Sequence, residues 1–265
     1  MLKFFSLSSG SCGNCYYLGS REKGILIDAG VSLKQLKKVL QANEVDIGTI
    51  AGILVTHDHL DHIRFLGTFC KKLQKPVYTT GAIGNALRKH SFTSAFFPSC
   101  GKVIPDGGEA EIPGISVRFF EVPHDATQTV GYSILMDGHR FVIMTDMGHL
   151  TDEAAEYASK ADTLVIESNY DIDMLMAGPY TYELKMRIVR GCGHLSNDDC
   201  AAALKRVVHP GLKNIFLCHL SENNNTPEKA FAASSAALSE AGVPKGSIQL
   251  RCLPRSYPSP VFFLF

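Results

Sequence analysis

The sequence predicts an α/β protein in which two mixed β-sheets pack together and helices cover their outer faces. Apolar, β-branched runs recur along the chain and stop abruptly at polar residues: GILIDAG, IAGILVTHDH, VRFFEVPHD, RFVIMTDMG, DTLVIESN and NIFLCHLS. Continuous apolar runs of this length are typical of strands that are buried on both faces. Helical segments separate the runs in two blocks, so we expect two packed sheets within a single domain spanning residues 1–265.

Each of these predicted strands ends on a side chain that can bind a metal or move a proton. The terminal residues are Asp28, His57, His124, Asp146, Glu167 and His219. Open α/β architectures place their chemistry at the ends of strands. We therefore expect one edge of the sheets to carry a polar site.

Helices are predicted from apolar periodicity and from capping residues. SLKQLKKVLQ begins at Ser32 as N-cap, and SNDDCAAALKRVVH begins at Ser196 or Asn197 with acidic residues in its first turn and basic residues in its last. TPEKAFAASSAALSEAG has Thr226 as its cap and Gly242 as its stop. TDEAAEYASKA and the segment that follows VTHDHLDHI give weaker helix signals.

A β-hairpin is predicted between Cys100 and Val122, where PDGGE separates two β-prone segments. The glycine-rich segment GSCGNCYYLG is predicted to form a tight turn that enters a strand. Its Cys12 and Cys15 form a C-x-x-C, but a zinc ribbon needs a second pair of ligands and a redox motif opens a helix. We therefore interpret the two cysteines as small residues of the turn.

Composition excludes several classes of protein. Hydrophobic residues make up 45% and charged residues 20%, which is ordinary for a globular protein. Because the formal net charge is zero, the overall electrostatic field of the protein does not attract nucleic acid, and local groups must bind any anionic partner. No apolar stretch reaches the eighteen residues of a membrane-spanning helix. The apolar segment at the start of the sequence is too short for a secretory signal. We expect a cytoplasmic protein without a membrane partner. Its cysteines should be reduced because they are scattered along the chain: Cys12, Cys15, Cys70, Cys100, Cys192, Cys200, Cys218 and Cys252.

The segment VTHDHLDHI predicts a metal centre. His57 and His59 are two positions apart, so both rings can face one way at a strand end, and Asp61 and His62 fall where the chain folds back over the same spot. Three clustered imidazoles without a metal would bring no packing benefit. A pair of divalent ions needs two or three more ligands, for which strand ends offer His124, Asp146 and His219.

Alternative interpretations remain at single positions. A lone histidine after a strand is more often a polar cap than a ligand, and Asp28 and Asp146 could be turn formers that end their strands. Ligation by histidine and aspartate without cysteine suits Zn²⁺ and also admits Mn²⁺ or Fe. Residues 9–14, SGSCGN, could offer backbone N–H groups to a phosphate or form a plain tight turn.

The order Asp28, THDHLDH, His124, Asp146 and His219 resembles the five motifs of the metallo-β-lactamase superfamily. The resemblance implies an αββα sandwich with a dinuclear site at one edge. It assigns His57, His59 and His124 to one ion, assigns Asp61, His62 and His219 to the other, and makes Asp146 the bridge. It also implies that Asp28 orients a ligand without binding metal.

Two further segments resemble nucleases of this superfamily. RGCGHLSNDDCAAALKRV followed by NIFLCHLS is similar to the tRNase Z pattern, which implies that His194 protonates the leaving oxygen and that Glu167 orients His194. LSSGSCGNCYYLG, ESNYD and GHLSN together are similar to the YycJ/WalJ group, which implies a nuclease that processes DNA. Tyr170 stands where many members have histidine, so we assign it no role.

Three functions are therefore considered. The first is a dinuclear metal-dependent phosphodiesterase or exonuclease, acting on DNA in preference to RNA through a metal-bridged hydroxide, with Asp61, His194 and Glu167 as its catalytic residues. The second is a thioester or lactone hydrolase of the glyoxalase II or lactonase type, which the neutral net charge favours. The third is a metal-stabilised binding module, which the complete set of donors disfavours.

Overall fold

Two mixed sheets form the centre of the computed structural model, which describes residues 1–189 and 193–265. The first sheet contains β1 (Leu2–Gly10), β2 (Gly13–Gly19), β3 (Gly24–Ile27), β4 (Ile50–Leu54), β5 (Val77–Thr79), β6 (Gly101–Val103) and β14 (Phe262–Leu264). The second contains β7 (Ala110–Ile112), β8 (Ile115–Glu121), β9 (Val130–Met136), β10 (His139–Met144), β11 (Thr163–Glu167), β12 (Asn214–Cys218) and β13 (Gln249–Cys252).

The strand order confirms the predicted mixed sheets. It is β14-β1-β2-β3-β4-β5-β6 in the first sheet and β13-β12-β11-β10-β9-β8-β7 in the second. Neighbours from β3 to β6 and from β10 to β13 run parallel, whereas the other neighbours run antiparallel. All six apolar runs of the sequence form strands. Strands such as β3, β11 and β12 are buried on both faces, whereas β8 exposes Arg118 and Glu121.

Large apolar side chains join the two sheets. Phe4 of β1 contacts Phe141 of β10 and Phe216 of β12, with ring centroids 4.9 Å apart in each pair. All three rings are fully buried. Aromatic contacts at this distance contribute about 0.5–1.5 kcal/mol each beyond the burial of their area. The inner faces of the two sheets therefore share one core.

Helices cover the outer faces, so the layers run helix, sheet, sheet, helix. The helices are α1 (Leu33–Ala42), α2 (Leu60–Ile63), α3 (Leu66–Leu73), α4 (Gly81–Lys89), α5 (Asp152–Ala158), α6 (Ile172–Ala177), α7 (Tyr182–Arg187), α8 (Asn197–Val207) and α9 (Pro227–Glu240). Residues of α1, α3 and α4 pack on the first sheet. On the second sheet, Val142 and Leu164 pack with Ala158, Leu204 and Ala230 of α5, α8 and α9.

Capping residues place the helix starts where the sequence predicts them. Ser32, Ser196 and Thr226 each accept a hydrogen bond from a backbone N–H of the first turn of α1, α8 and α9. Such caps contribute about 0.5–2 kcal/mol each. The weaker predictions are also confirmed, as α5 and as α3 after the histidine-rich segment.

The hairpin predicted between Cys100 and Val122 is wrong. β6 pairs with β5 in the first sheet, whereas β7 pairs with β8 in the second, and the PDGGE segment passes from one sheet to the other. The hairpin of this region is β7–β8, with Pro113 and Gly114 at its turn. Glycine and proline indicate that the chain turns, but they do not determine to which sheet the segments before and after the turn belong.

The described cysteines are free, in agreement with the prediction of reduced thiols, and Cys192 lies outside the described residues. Cys12 is exposed at the β1–β2 turn, whereas Cys15 is buried in β2, where burial raises the pKa of its thiol. The two thiols therefore lie in different environments, as expected for a packed turn. In the described part of the chain, no helix combines the length and hydropathy needed to cross a bilayer.

Candidate metal centre and cleft

The candidate site lies at one edge of both sheets, where strands of each sheet end on polar side chains. Asp28 and His57 follow β3 and β4 of the first sheet. Asp146, Glu167 and His219 stand at the ends of β10, β11 and β12 of the second sheet. The site is thus shared between the sheets, and all the site residues predicted from the sequence meet there.

Three of these residues have a left-handed backbone conformation. The φ angles are +63° at Asp28 and +53° at both Asp146 and His219. Aspartate and histidine tolerate this region better than most other side chains, but it still carries strain. At the end of a strand it turns the chain sharply, and here it occurs at residues whose side chains converge on the site.

The first group of donors consists of His57, His59 and His124. One ring nitrogen of each lies within 4.8 Å of the others, and His59 Nδ1 is 3.3 Å from His124 Nε2. His124 Nδ1 lies 2.5 Å from the carbonyl oxygen of Gly193, so this nitrogen carries the proton and the unprotonated Nε2 can act as the donor atom. Burial, followed by the neighbouring His62, holds the pKa of His57 well below its usual value. A neutral imidazole is the form that binds metals.

The second group consists of Asp61, His62 and His219, whose donor atoms also lie within 4.8 Å of one another. Asp61 Oδ2 is 3.5 Å from Nε2 of both His62 and His219. Burial alone would lower the pKa of His219, but the carboxylates of Asp146, Asp61 and Glu167 raise it to about 10. The field inside the site therefore favours positive charge.

Asp146 lies between the two groups. Its Oδ2 is 3.3 Å from His62 Nε2, and its Oδ1 is 3.9 Å from His124 Nε2. Burial would raise the pKa of this carboxyl, but the charges of His219 and His62 hold it well below the usual range. An ionised carboxylate in this position is suited to bridge two cations.

Carboxylates outside the donor groups fix the orientation of two histidines. Asp28 Oδ2 lies 2.7 Å from His62 Nδ1, and Glu167 Oε1 lies 3.0 Å from His219 Nδ1. In each ring the carboxylate accepts the Nδ1 proton and leaves Nε2 as the donor atom, an arrangement that is typical of metal sites.

These residues fit divalent metal ions. Nε2 of His57 and Nε2 of His219 are buried and have no hydrogen-bond partner within the described ranges 1–189 and 193–265. Leaving a buried polar atom unpaired costs about 1–3 kcal/mol, which a coordinated cation would remove. The combination of imidazoles and carboxylates suits Zn²⁺, Mn²⁺ or Fe. The chain thus contains donor clusters suitable for metal binding.

A second histidine–carboxylate pair lies beside the donors. His194 Nδ1 is 2.8 Å from Glu167 Oε1, and Glu167 Oε2 accepts hydrogen bonds from the backbone N–H groups of Met147 (2.8 Å) and Leu195 (3.1 Å). Burial would lower the pKa of His194, but the adjacent Glu167 carboxylate raises it above the usual value. Glu167 thus contacts His194, as the resemblance implies, and also His219, a contact that the sequence did not suggest.

Three further residues, which were not predicted as site residues from the sequence, contact the site. Asn14 Nδ2 lies 3.1 Å from Asp61 Oδ2 and 2.9 Å from His62 Nε2, and Ser9 Oγ accepts a hydrogen bond from the backbone N–H of His219. Ser9 and Asn14 flank the β1–β2 turn, so their only signal was the quoted motif LSSGSCGNCYYLG. Thr56 donates to Asp28 through its N–H and its hydroxyl, both at 2.9 Å, and its only signal was its place before His57.

Asp58 and Leu60 alternate with the donors of the histidine motif and belong to neither donor group. Asp58 accepts hydrogen bonds from the N–H and the hydroxyl of Thr127, three residues after His124. Leu60 is partly exposed. Asp58 therefore connects the donor segment that follows β4 to the segment that contains His124.

A cleft of about 320 Å³ leads to the donors. One wall comes from residues 170–189, which contribute Tyr170, Tyr180 and Arg187. Arg187 forms an ion pair with Asp125, the residue after His124, so this segment is attached beside the metal donors. His194 also lines the cleft, with a quarter of its side chain exposed. Burial raises the pKa of Tyr170 to about 12, so its phenol is neutral at physiological pH.

The chain is similar to known proteins over most of its length. The family model described as the beta-lactamase superfamily domain matches residues 23–219. The chain is 37% identical over 242 residues to exodeoxyribonuclease YycJ of Bacillus anthracis, covering 91% of this chain and 90% of that protein. It is 33% identical over 244 residues to exodeoxyribonuclease WalJ of Streptococcus pneumoniae, covering 92% and 91%.

Among solved structures, the short form of human tRNase Z resembles this chain in fold, with a TM-score of 0.64 over 99% of both chains at 16% identity. The resemblance inferred from the sequence is thereby confirmed, as is the predicted αββα sandwich. From the matched residues and the extent of the two bacterial relatives, we conclude that the chain belongs to the metallo-β-lactamase superfamily, as a hydrolase of the group that contains YycJ and WalJ.

Proposed function

We propose that the chain is a metal-dependent nuclease that hydrolyses phosphodiester bonds of nucleic acid, with DNA preferred to RNA. Both bacterial relatives are named exodeoxyribonucleases, and their similarity extends over nine tenths of this chain. In this proposal two divalent ions, Zn²⁺ or Mn²⁺ with Fe as the alternative, occupy the donor groups. His57, His59 and His124 would hold one ion, Asp61, His62 and His219 would hold the other, Asp146 would contribute to both, and Asp28 would orient His62.

Divalent ions bound there would acidify a water molecule and neutralise the charge of a phosphodiester. The protein supplies the remaining functions. Asp61 and His219 both line the cleft, and Asp61 is the most exposed donor of its group, with a fifth of its side chain exposed, whereas His62 is fully buried. We therefore assign Asp61 a catalytic role as well as a role in metal binding.

The contact between His194 and Glu167 is the observation that carries this proposal. The alkoxide that leaves a phosphodiester is a poor leaving group and needs a proton. Glu167 accepts the Nδ1 proton of His194, which leaves the Nε2 proton of the imidazolium for the leaving oxygen. General acid catalysis of this kind contributes about 10²–10⁴-fold to the rate.

The walls of the cleft favour an unpaired strand. The half-buried Tyr180 lines it, and tyrosine rings form stacking platforms for unpaired bases in proteins that bind single strands. Because the net charge of the chain is zero, affinity for phosphates must come from local groups such as the metal ions and Arg187.

A substrate panel tests the proposal. The purified chain, loaded with Mn²⁺ or Zn²⁺, is incubated with labelled single-stranded DNA, duplex DNA, RNA, thioesters and lactones. We expect cleavage of DNA that an Asp61→Ala variant abolishes without unfolding. Cleavage of thioesters or lactones with intact nucleic acids would overturn the proposal in favour of a small-molecule hydrolase.

A leaving-group comparison tests the role of His194. An oligonucleotide releases an alkoxide, whereas p-nitrophenyl thymidine phosphate releases a phenolate that is stable without protonation. We expect His194→Ala to lower kcat for the oligonucleotide about 10²–10⁴-fold and to leave hydrolysis of the nitrophenyl ester nearly unchanged. Equal losses on both substrates would refute the assignment of His194 as the proton donor.

A further inference from the structure

Two buried asparagines pair with each other behind the site. Asn197 Nδ2 donates to Asn225 Oδ1, and Asn225 Nδ2 donates to Asn197 Oδ1, both at 2.9 Å. Their exposed fractions are 4% and 5%. We call these two residues the asparagine pair. Buried amides need a partner for every polar atom, so the pair fixes the distance between the two segments that carry it.

The asparagine pair also bonds to a third segment. Asn225 Nδ2 lies 2.9 Å from the carbonyl oxygen of Ser168 and 3.0 Å from that of Asn169, and the Ser168 hydroxyl donates to Asn197 Oδ1 at 2.7 Å. The N–H of Thr226 donates to Asn225 Oδ1 at 2.9 Å. Three segments that are distant in sequence therefore meet at one set of buried amide groups.

Each of these segments carries one member of the site. Ser168 directly follows Glu167, and Asn197 lies three residues after His194. Asn225 lies six residues after His219. Backbone hydrogen bonds connect the same segments, from Asn169 N–H to the oxygen of Leu195, from Asn197 N–H to that of Tyr170, and from Ser221 N–H to that of Asn169, each at 2.8 Å.

The Glu167–His194 contact depends on how these segments are aligned. Glu167 Oε1 must reach the rings of His194 and His219 together, at 2.8 Å and 3.0 Å. A shift of Ser168 relative to Asn197 would move the adjacent Glu167 carboxylate relative to the segment that carries His194 and would lengthen the Glu167–His194 contact. Displacements of about 1 Å at reacting groups cost up to 10²-fold in rate.

We propose that the asparagine pair positions the Glu167–His194 dyad for proton donation, so that Asn225 and Asn197 are positioning residues of the reaction. The inference rests on the proposed function, because it assumes that His194 is the proton donor. It also gives a role to the asparagine of GHLSN, Asn197, and to the Ser168 and Asn169 carbonyl oxygens of ESNYD, which lie beside Asn225 Nδ2. Through Asn225, those motifs are connected to the segment after His219.

Asn225→Asp tests the inference in the metal-loaded chain. The substitution keeps the size and the Oδ1 acceptor, but the carboxylate cannot donate to Ser168, Asn169 or Asn197. We expect kcat for the oligonucleotide to fall about 10- to 100-fold with an unchanged KM, while hydrolysis of p-nitrophenyl thymidine phosphate stays near the wild-type rate. Asn43→Asp is the matched control, since Asn43 makes a comparable bond to the Val39 carbonyl at the end of α1.

A second background separates positioning from general damage. In a His194→Ala chain, Asn225→Asp should cause no further loss on the oligonucleotide, because the donor through which it acts is gone. Equal losses on both substrates, or a further loss in the His194→Ala background, would overturn the inference. If Asn225→Asp does not fold, Asn197→Asp, which loses only the donation to Asn225 Oδ1 from its side chain, takes its place with the same expected outcomes.

The two proposals fail in different ways. If His194→Ala alone lowers both substrates equally, the proton donor is wrongly assigned and the positioning role is overturned with it. If His194→Ala shows the expected dependence on the leaving group and Asn225→Asp does not, the proposed function stands and the positioning role is overturned.

Discussion

Asp28 makes no direct contact with the cleft, yet it is expected to control metal binding. It is fully buried, and its carboxylate accepts the N–H and the hydroxyl of Thr56 and the Nδ1 proton of His62. Asn is the informative substitution at this position. It has the same size and tolerates the left-handed φ of +63°, so the backbone is not perturbed. The change replaces one carboxylate oxygen by an amide nitrogen.

The hydrogen bonds of Asp28 set the size of the effect. Oδ1 accepts from Thr56 N–H, and Oδ2 accepts from Thr56 Oγ1 and His62 Nδ1. An asparagine side chain has a single oxygen, so it cannot accept from both the Thr56 N–H and the His62 Nδ1–H, and one of these buried groups loses its acceptor. A hydrogen bond to a charged group contributes about 1.5–3 kcal/mol. Because about 1.4 kcal/mol is tenfold in affinity, we expect metal binding by the His62 group to weaken about 10- to 100-fold.

Calorimetric titration of the metal-free protein with Zn²⁺ and Mn²⁺ measures this effect. We expect Asp28→Asn to weaken one binding event and to leave the other near the wild-type value, because His57, His59 and His124 do not contact Asp28. Asp137→Asn is the matched control, since Asp137 also has a left-handed φ of +51° but ion-pairs with Lys23 in a partly exposed turn. Two binding events of wild-type affinity in Asp28→Asn would refute the reasoning.

Two further predictions concern stability. At Gly30 a Cβ would lie 1.8 Å from the Asp61 carbonyl oxygen and 2.4 Å from the Asn14 backbone nitrogen. Gly30→Ala should therefore lower the free energy of unfolding, measured with denaturant, by about 1–3 kcal/mol or more. Gly81→Ala, where nothing lies within 4 Å, should be neutral or slightly stabilising, and an equal loss in both variants would contradict the steric argument. A metal ion present at a hundredfold excess over its Kd stabilises the folded state by about 2.7 kcal/mol per site. Removal of the metal by a chelator should therefore lower the Tm by about 5–11 °C for each site that was occupied. A Tm unchanged by chelation in calorimetry would indicate that the donor groups hold no metal.

Local patterns in the sequence were sufficient to predict the strand ends and the donor-rich motif. His57, His59, Asp61 and His62 lie within six positions, so their convergence follows from the geometry of one strand end and one turn. The polar residues after β10, β11 and β12 could be predicted because each ends an apolar run. Spacing alone does not assign the donors to one metal ion or the other. The resemblance of their order to that of a known family supplied this assignment.

The contacts that the sequence did not predict are contacts between distant segments. Ser9 bonds to the backbone of His219 across 210 positions, because β1 and β2 lie inside the first sheet. No periodicity of a single segment contains this information. The wrong hairpin has the same cause, since a turn signal is local whereas the choice of sheet depends on the partners of β6 and β7.

The division of the donors between the two sheets has a consequence for how the protein is made. His57, His59, Asp61 and His62 follow β4 of the first sheet, whereas His124, Asp146 and His219 follow strands of the second. Neither donor group is complete within the first hundred residues. During synthesis on the ribosome, a growing chain therefore carries no complete centre until residue 219 has emerged and the two sheets have docked. Hydrolysis at the proposed site would therefore require that both sheets are formed and docked.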